Sequence, residues 1–197
     1  MTQDDPVYGL VLAGGESKRM GRDKALLRVD GKTQLSRAVT LLESKLDRVF
    51  VSARVDQQDE PERMKFEQIV DRYEDMGPLA GILSAMDSFP DAGWLVLACD
   101  LPNVDAPAVQ HLLDHRSCEH PFTAYKSSHD GLPEPLCAFY AAESSQVIKE
   151  FANDGVICPR KIMIRSNTQL LDQTNPESLD NINTPEDLAK TRLKVAS

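Results

Sequence analysis

Two hydrophobic periods alternate along the chain. The run YGLVLA at residues 8–13 is almost wholly apolar and reads as a first buried strand. Residues 33–46, TQLSRAVTLLESKL, carry apolar positions at helical spacing. RVFVSA at 48–53 predicts a second strand and QIVD at 68–71 a short third one. GPLAGILSAMDSF at 77–89 predicts a helix entered through Gly77 and Pro78, since proline is tolerated in a first helical turn. GWLVLACD at 93–100 is apolar to its last residue, as expected of a central strand covered on both faces. Residues 105–115 read as a helix with Asp105 as its N-cap.

Strands that alternate with helices imply βαβ units, a mostly parallel sheet and right-handed crossovers. After about Pro121 the rhythm changes. FTAY at 122–125 and LCAFYA at 136–141 are strand-like, separated by the polar SSHDGLPEP. A helix at 142–153, an irregular stretch and a final helix from about Thr184 complete the chain. No internal repeat or low-complexity linker interrupts it. The expectation is one Rossmann-like, three-layer α/β/α domain over residues 1–197, with a mainly parallel sheet.

Composition narrows the function classes. With 41% hydrophobic and 27% charged residues, a chain of 197 residues can bury a real core. No apolar run is long enough to span a bilayer, and MTQDDPVYG lacks the order of a signal peptide, so a cytoplasmic protein without a membrane partner is expected. A net charge of −9 argues against a general nucleic-acid binder, whose affinity rests on many phosphate contacts. Cys99, Cys118, Cys137 and Cys158 show no C-x-x-C pairing and suit buried, reduced thiols. His111 and His115 lie at i, i+4 with Cys118 and His120 beyond, but structural zinc sites use tighter paired spacings.

In such sheets ligands bind beyond the carboxyl ends of the strands. LAGGESKRMGRDKALL follows the first strand and gathers Lys18, Arg19, Arg22 and Lys24 on one glycine-rich loop of an acidic protein. Gly14 and Gly15 allow close backbone approach to a phosphate, and successive N–H groups can form an anion nest. Ser17 can donate a hydroxyl, and Arg19 and Lys24 can neutralise a triphosphate. Neither G-x-x-x-x-G-K-[ST] nor G-x-G-x-x-G is met, which disfavours a P-loop and a nicotinamide or flavin cofactor. The bland alternative is a solvated turn whose charges face water. Asp100, at the end of an apolar strand, is by itself either a cap of the loop before Pro102 or a carboxylate placed for Mg2+.

LAGGESKRMGRDKALL resembles the signature LAGG-x-S-x-RMG-x-DK of molybdenum cofactor guanylyltransferases and their nucleotidyltransferase relatives. GPLAGI, the strand with CDLP, LPEPLCAFY and DNINTPEDL recur in that family in the same order, from residue 10 to residue 188. The resemblance implies a nucleotide-binding half at about 7–105 and a second-substrate half at about 106–197. It implies nucleotide contacts from Leu12, Ala13, Gly14, Gly15, Ser17, Lys24 and Asp71, with Leu79, Ala80 and Gly81 near a purine that could pack on backbone and read its amides. It implies Mg2+ on Asp100 and pterin contacts from Asn181 and Asn183, just before a helix that Thr184 would cap. Glu134, between two prolines, falls on the second-substrate side. One departure stands out. Guanylyl enzymes usually carry Asn after the second-strand SA, where this chain has Arg54.

The implied reaction joins GMP from GTP to molybdenum-molybdopterin and releases pyrophosphate. Lys24 and Arg19 would offset charge on the triphosphate, and Mg2+ on Asp100 would bridge phosphate oxygens. The attacking phosphate is already ionised, so no strong general base is required. Two alternatives accompany this expectation. One is a related nucleotidyltransferase that uses CTP or a sugar phosphate. The other is a weakly catalytic protein that hands cofactor to a molybdoenzyme or cofactor-chaperone partner.

Overall fold

Strand β1 (Val7–Leu12) lies between two parallel neighbours, β4 (Gly93–Ala98) and β2 (Val49–Ala53). The structure, a computed structural model, describes residues 5–13, 16–17, 22–29, 31–117, 119–173 and 175–180. Strands β3 (Gln68–Val70), β5 (Phe122–Lys126), β6 (Pro133–Tyr140) and β7 (Thr168–Leu171) complete a seven-stranded sheet in the order β7-β5-β6-β4-β1-β2-β3. β6 runs antiparallel to both β4 and β5, and the remaining neighbours are parallel. The result is a mixed, largely parallel sheet in an α/β/α arrangement.

Alternation by two explains the layers. Val11, Val51, Leu95 and Leu97 face one way and pack with Leu35, Val39 and Leu42 of α1 (Gln34–Glu43) and Val109 and Leu112 of α3 (Ala106–Asp114). Leu10, Phe50, Trp94 and Val96 face the other way. They meet Leu79, Ile82 and Leu83 of α2 (Pro78–Ser88), Ile148 of α4 (Ser144–Asn153) and Ile162 of α5 (Pro159–Arg165). Both faces of the central strands are covered, which is why their sequences are apolar almost throughout.

The helix starts follow local chemistry. Thr33 accepts from Ser36 N at the head of α1, and Asp105 accepts from Ala108 N at the head of α3. Gly77 takes φ 54° before Pro78, so the chain turns sharply into α2. The stretch after residue 153, expected to be irregular, contains α5 and β7. α5 has seven residues and no side-chain cap, and β7 is a half-buried edge strand, so neither leaves a strong periodic mark. β6 begins at Pro133, earlier than its apolar run. Its register against β5 shifts between Pro133 and Ala138, and such irregular pairing tolerates proline. Cys99 and Cys137 are buried and free as expected, whereas Cys158 is free and exposed; Cys118 lies outside the described residues. The expected helix from Thr184 lies outside them too. Among the described residues no helix is long and apolar enough to cross a membrane.

Gly81 sets how closely α2 approaches the sheet. A Cβ there would overlap Ser52 Oγ and come within 2.9 Å of Ser52 Cβ and 3.1 Å of Leu12 Cδ2. Gly81→Ala gains up to about 1 kcal/mol of helix propensity. Overpacking costs about 1–3 kcal/mol and should dominate. Thermal melts should show a lower midpoint for Gly81→Ala and partial recovery when Ser52→Gly is added. An unchanged midpoint for the single variant would show that the helix simply shifts outward.

Candidate active site

Parallel pairing brings two distant segments together. Leu12 stands beside Ala98 at the carboxyl ends of β1 and β4, so the loops that follow leave from the same edge. On the β1 side, Glu16–Ser17 pairs antiparallel with Arg22–Asp23, and a single 3₁₀ turn, Lys24–Leu26, follows. Asp23 Oδ1 accepts from Ala25 N at 3.0 Å and caps that turn. On the β4 side the chain reaches Asp100. Lys24 Nζ donates to Asp100 Oδ2 at 3.1 Å, although 76 residues separate them. Their side chains retain 19% and 25% exposure, so the pair is reachable from solvent and need not be kept intact when a ligand arrives.

A second acid lies two strands from β1, at the end of β3. Asp71 follows β3, and Ser52 Oγ donates to its Oδ1 at 2.8 Å. Burial pushes the Asp71 carboxyl up from its ordinary value, against the Ser52 hydrogen bond and the Arg54 charge, which both pull it down. Arg54 makes two hydrogen bonds to Asp56, at 2.9 and 2.8 Å. Ser52 is also the residue against which Gly81 packs, so Asp71, β2 and the start of α2 form one contact chain.

The expected nucleotide residues divide on burial. Leu12, Ala13 and Leu79 are buried in the core, where their side chains serve packing, and Gly81 is buried within α2. The amides of Leu79 and Ala80 donate to the Met76 and Gly77 carbonyls at 3.2 and 3.1 Å. The first amides of α2 are therefore already engaged. Ser17 belongs to the short ribbon. Gly14, Gly15, Arg19, Asn181 and Asn183 lie outside the described residues.

On the β6 side, Arg160 Nη2 donates to Glu134 Oε1 at 2.6 Å and its Nη1 to Asp130 Oδ2 at 3.1 Å, which ties the hairpin before β6 to α5. The histidines have local partners. His111 Nδ1 is 3.0 Å from Tyr125 Oη, and His115 Nδ1 is 2.9 Å from the His111 carbonyl. Burial holds the thiols of Cys99 and Cys137 up at about 12, far from the thiolate a nucleophile requires.

Among the described residues no three His, Cys, Asp or Glu side chains gather as a metal cage. A single carboxylate such as Asp100 nevertheless fits Mg2+, which keeps several waters and takes its other oxygens from substrate phosphates. Sequence reasoning missed Arg63. It is fully buried, and its Nη2 donates to the Ala13 carbonyl at 2.7 Å and to Asp23 Oδ2 at 2.6 Å. Its segment, DEPERMKF, is mostly polar and carries no periodic signal.

Residues 9–170 match the family model for the MobA-like NTP transferase domain. A "Molybdenum cofactor biosynthesis bifunctional protein" of Synechocystis is 38% identical over 92% of this chain, and the match spans 52% of that protein. The chain thus spans about half the length of that relative. A "Probable molybdenum cofactor guanylyltransferase" of Trichormus variabilis is 32% identical over 91% of this chain and 87% of its own length. The crystal structure of molybdopterin-guanine dinucleotide biosynthesis protein A from Archaeoglobus fulgidus superposes with a TM-score of 0.77 at 24% identity, covering 93% of this chain and 95% of that one. At that identity the superposition speaks for the fold.

The upward shift at Asp71 has a sign that can be tested. The folded state holds this proton more tightly than the unfolded chain does, so its contribution is full below about pH 3.9 and is lost as pH rises through the higher folded value. At pH 7 the half-buried carboxylate is a cost. Asp71→Asn, which keeps an oxygen for Ser52 to donate to, should raise the urea midpoint at pH 7. The gain should shrink as pH approaches 4. A variant less stable than the parent at pH 7 would mean that the carboxylate charge has a stabilising partner.

Proposed function

Because the chain belongs to the MobA-like NTP transferase family, we propose that it transfers GMP from GTP to molybdenum-molybdopterin, giving the guanine dinucleotide form and pyrophosphate. The observation that carries this reading is the meeting of Lys24 and Asp100 at the shared edge of β1 and β4. A cation for phosphates and a carboxylate for a hard metal ion stand side by side where an open α/β sheet receives ligands. The names carried by the Synechocystis and Trichormus proteins support the molybdenum cofactor as the destination.

In the proposed reaction an oxygen of the pterin's terminal phosphate attacks the α-phosphorus of GTP. A new P–O bond forms while the bond from the α-phosphorus to the bridging oxygen breaks, and that electron pair leaves with pyrophosphate. Lys24 turns from Asp100 to the triphosphate, where its charge offsets the negative charge that builds on the leaving group. Asp100, released from Lys24, is then available to a metal ion. When bound there, Mg2+ supplies Lewis-acid charge to the phosphate oxygens. The Lys24–Asp100 pair is partly open to solvent, so water and an arriving ligand can take over from each partner as the two separate.

The other assignments follow family membership. Gly14, Gly15, Ser17 and Arg19 would cradle the triphosphate. Leu12, Ala13, Asp71, Leu79 and Gly81 would border the nucleoside, and Asn181 and Asn183 would meet the pterin. Residues 7–105 would form the nucleotide half and 106–197 the second-substrate half. Arg54, where Asn is usual, motivates testing a second nucleotide.

Purified protein with Mg2+, molybdopterin and either GTP or CTP should release pyrophosphate with GTP. Release with CTP alone would replace the guanylyl reading by another nucleotidyltransferase, and release with neither would reject it. Asp100→Asn and Lys24→Ala should each lower turnover by about 10²-fold or more. Both variants should remain folded at the assay temperature, since the pair lies at a loop edge that solvent reaches. A large fall in midpoint with unchanged turnover per folded molecule would make the pair structural.

A further inference from the structure

We infer that Arg63 is a positioning residue that holds the Lys24 turn in place through Asp23 and the Ala13 carbonyl. Arg63 is fully buried, in a short 3₁₀ turn, Arg63–Lys65, on the chain between β2 and β3. Burying a guanidinium is expensive unless it is paired, and a well-packed apolar side chain of similar volume often does as well for stability. What distinguishes this arginine is the choice of partners. One nitrogen, Nη2, donates to Ala13 O at 2.7 Å and to Asp23 Oδ2 at 2.6 Å, the two flanks of the glycine-basic loop. Its Nη1 is 3.5 Å from Glu60 Oε2, and that same oxygen accepts from the Arg63 amide at 3.0 Å. Its Nε has no hydrogen-bond partner among the described residues.

Asp23 divides its two oxygens. Oδ2 takes the guanidinium and Oδ1 takes Ala25 N, the bond that starts the turn bearing Lys24. The same segment is anchored a second time, because Thr33 Oγ1, at the cap of α1, donates to Glu62 Oε1 at 3.0 Å. A brace fixed to α1 thus grips both flanks of the loop. Freed from Arg63, Asp23 could still cap the turn, but the turn would no longer be tied to the end of β1. Lys24 would lose its fixed direction toward Asp100.

The inference rests on the nucleotidyl-transfer reading for what Lys24 does, and on the hydrogen bonds alone for what Arg63 holds. Two readouts separate these. The first is amide exchange at Ala25, measured by NMR on the full chain without ligand. In Arg63→Met, which keeps most of the buried volume, Ala25 should exchange at least about 10-fold faster while β1 and β4 stay protected. Should that variant not fold, Asp23→Asn removes the charged partner while retaining an oxygen for Ala25, and the same local acceleration is expected. Unchanged exchange at Ala25 in the folded variant overturns the inference, whatever the protein's reaction.

The second readout is pyrophosphate release with GTP, molybdopterin and Mg2+. Arg63→Met should lower kcat about 10-fold or more in the parent background and have little further effect in Lys24→Ala, because it acts through Lys24. Equal losses in both backgrounds overturn the route through Lys24. If the parent itself releases no pyrophosphate, the proposed reaction has failed, and the exchange measurement still decides the role of Arg63.

Discussion

The parallel register of β1 against β4 is the constraint on which the rest depends. Backbone hydrogen bonds hold Leu12 beside Ala98, and both strands are covered on their two faces, so neither can slip by one residue without turning its core positions outward. With that register set, the chain must leave both strands at one edge. A 3₁₀ turn and a strand-end acid then suffice to bring Lys24 to Asp100. The chemistry at this edge needs no long-range coincidence beyond the sheet itself.

Charge is arranged locally against the bulk of the molecule. A chain of net charge −9 repels an anion at a distance, so any attraction must come from cations concentrated at the point of arrival. Three described cations near that edge have an acid beside them: Lys24 has Asp100, Arg63 has Asp23, and Arg54 has Asp56. The pairs differ in burial. Lys24 and Asp100 meet where water reaches them, which makes the lysine exchangeable; Arg63 is sealed in, which makes it a fixture.

Much of this was legible in the sequence, and for identifiable reasons. The strands β1, β2 and β4 declare themselves because burial on both faces demands apolar residues at nearly every position. α1 and α3 declare their starts through Thr33 and Asp105. Lys24 and Asp100, which the fold brings within hydrogen-bond distance, stand out in the sequence because cations and acids at strand ends are conspicuous. What stayed hidden depends on contacts between segments. Arg63 sits in a polar stretch that looks like a solvated loop, and only the tertiary fold buries it. The close approach at Gly81 is hidden for the same reason: only in the folded chain does its missing side chain make room for Ser52. α5 and β7 are short and half-covered, so their patterns hardly differ from irregular chain.

The strand order also determines what the growing chain can pair while it is being made. β1, β2, β3 and β4 occupy adjacent places in the sheet, and all of them precede residue 99. Four neighbouring strands therefore emerge from synthesis before any residue of β5 or β6. During that interval β4, with every residue buried in the finished protein, presents its outer edge with no partner. An open apolar edge of this kind is a template for wrong strand pairing. The antiparallel β6 is the piece that closes it. Nascent chains that stop short of Pro133 therefore carry the exposed edge with them.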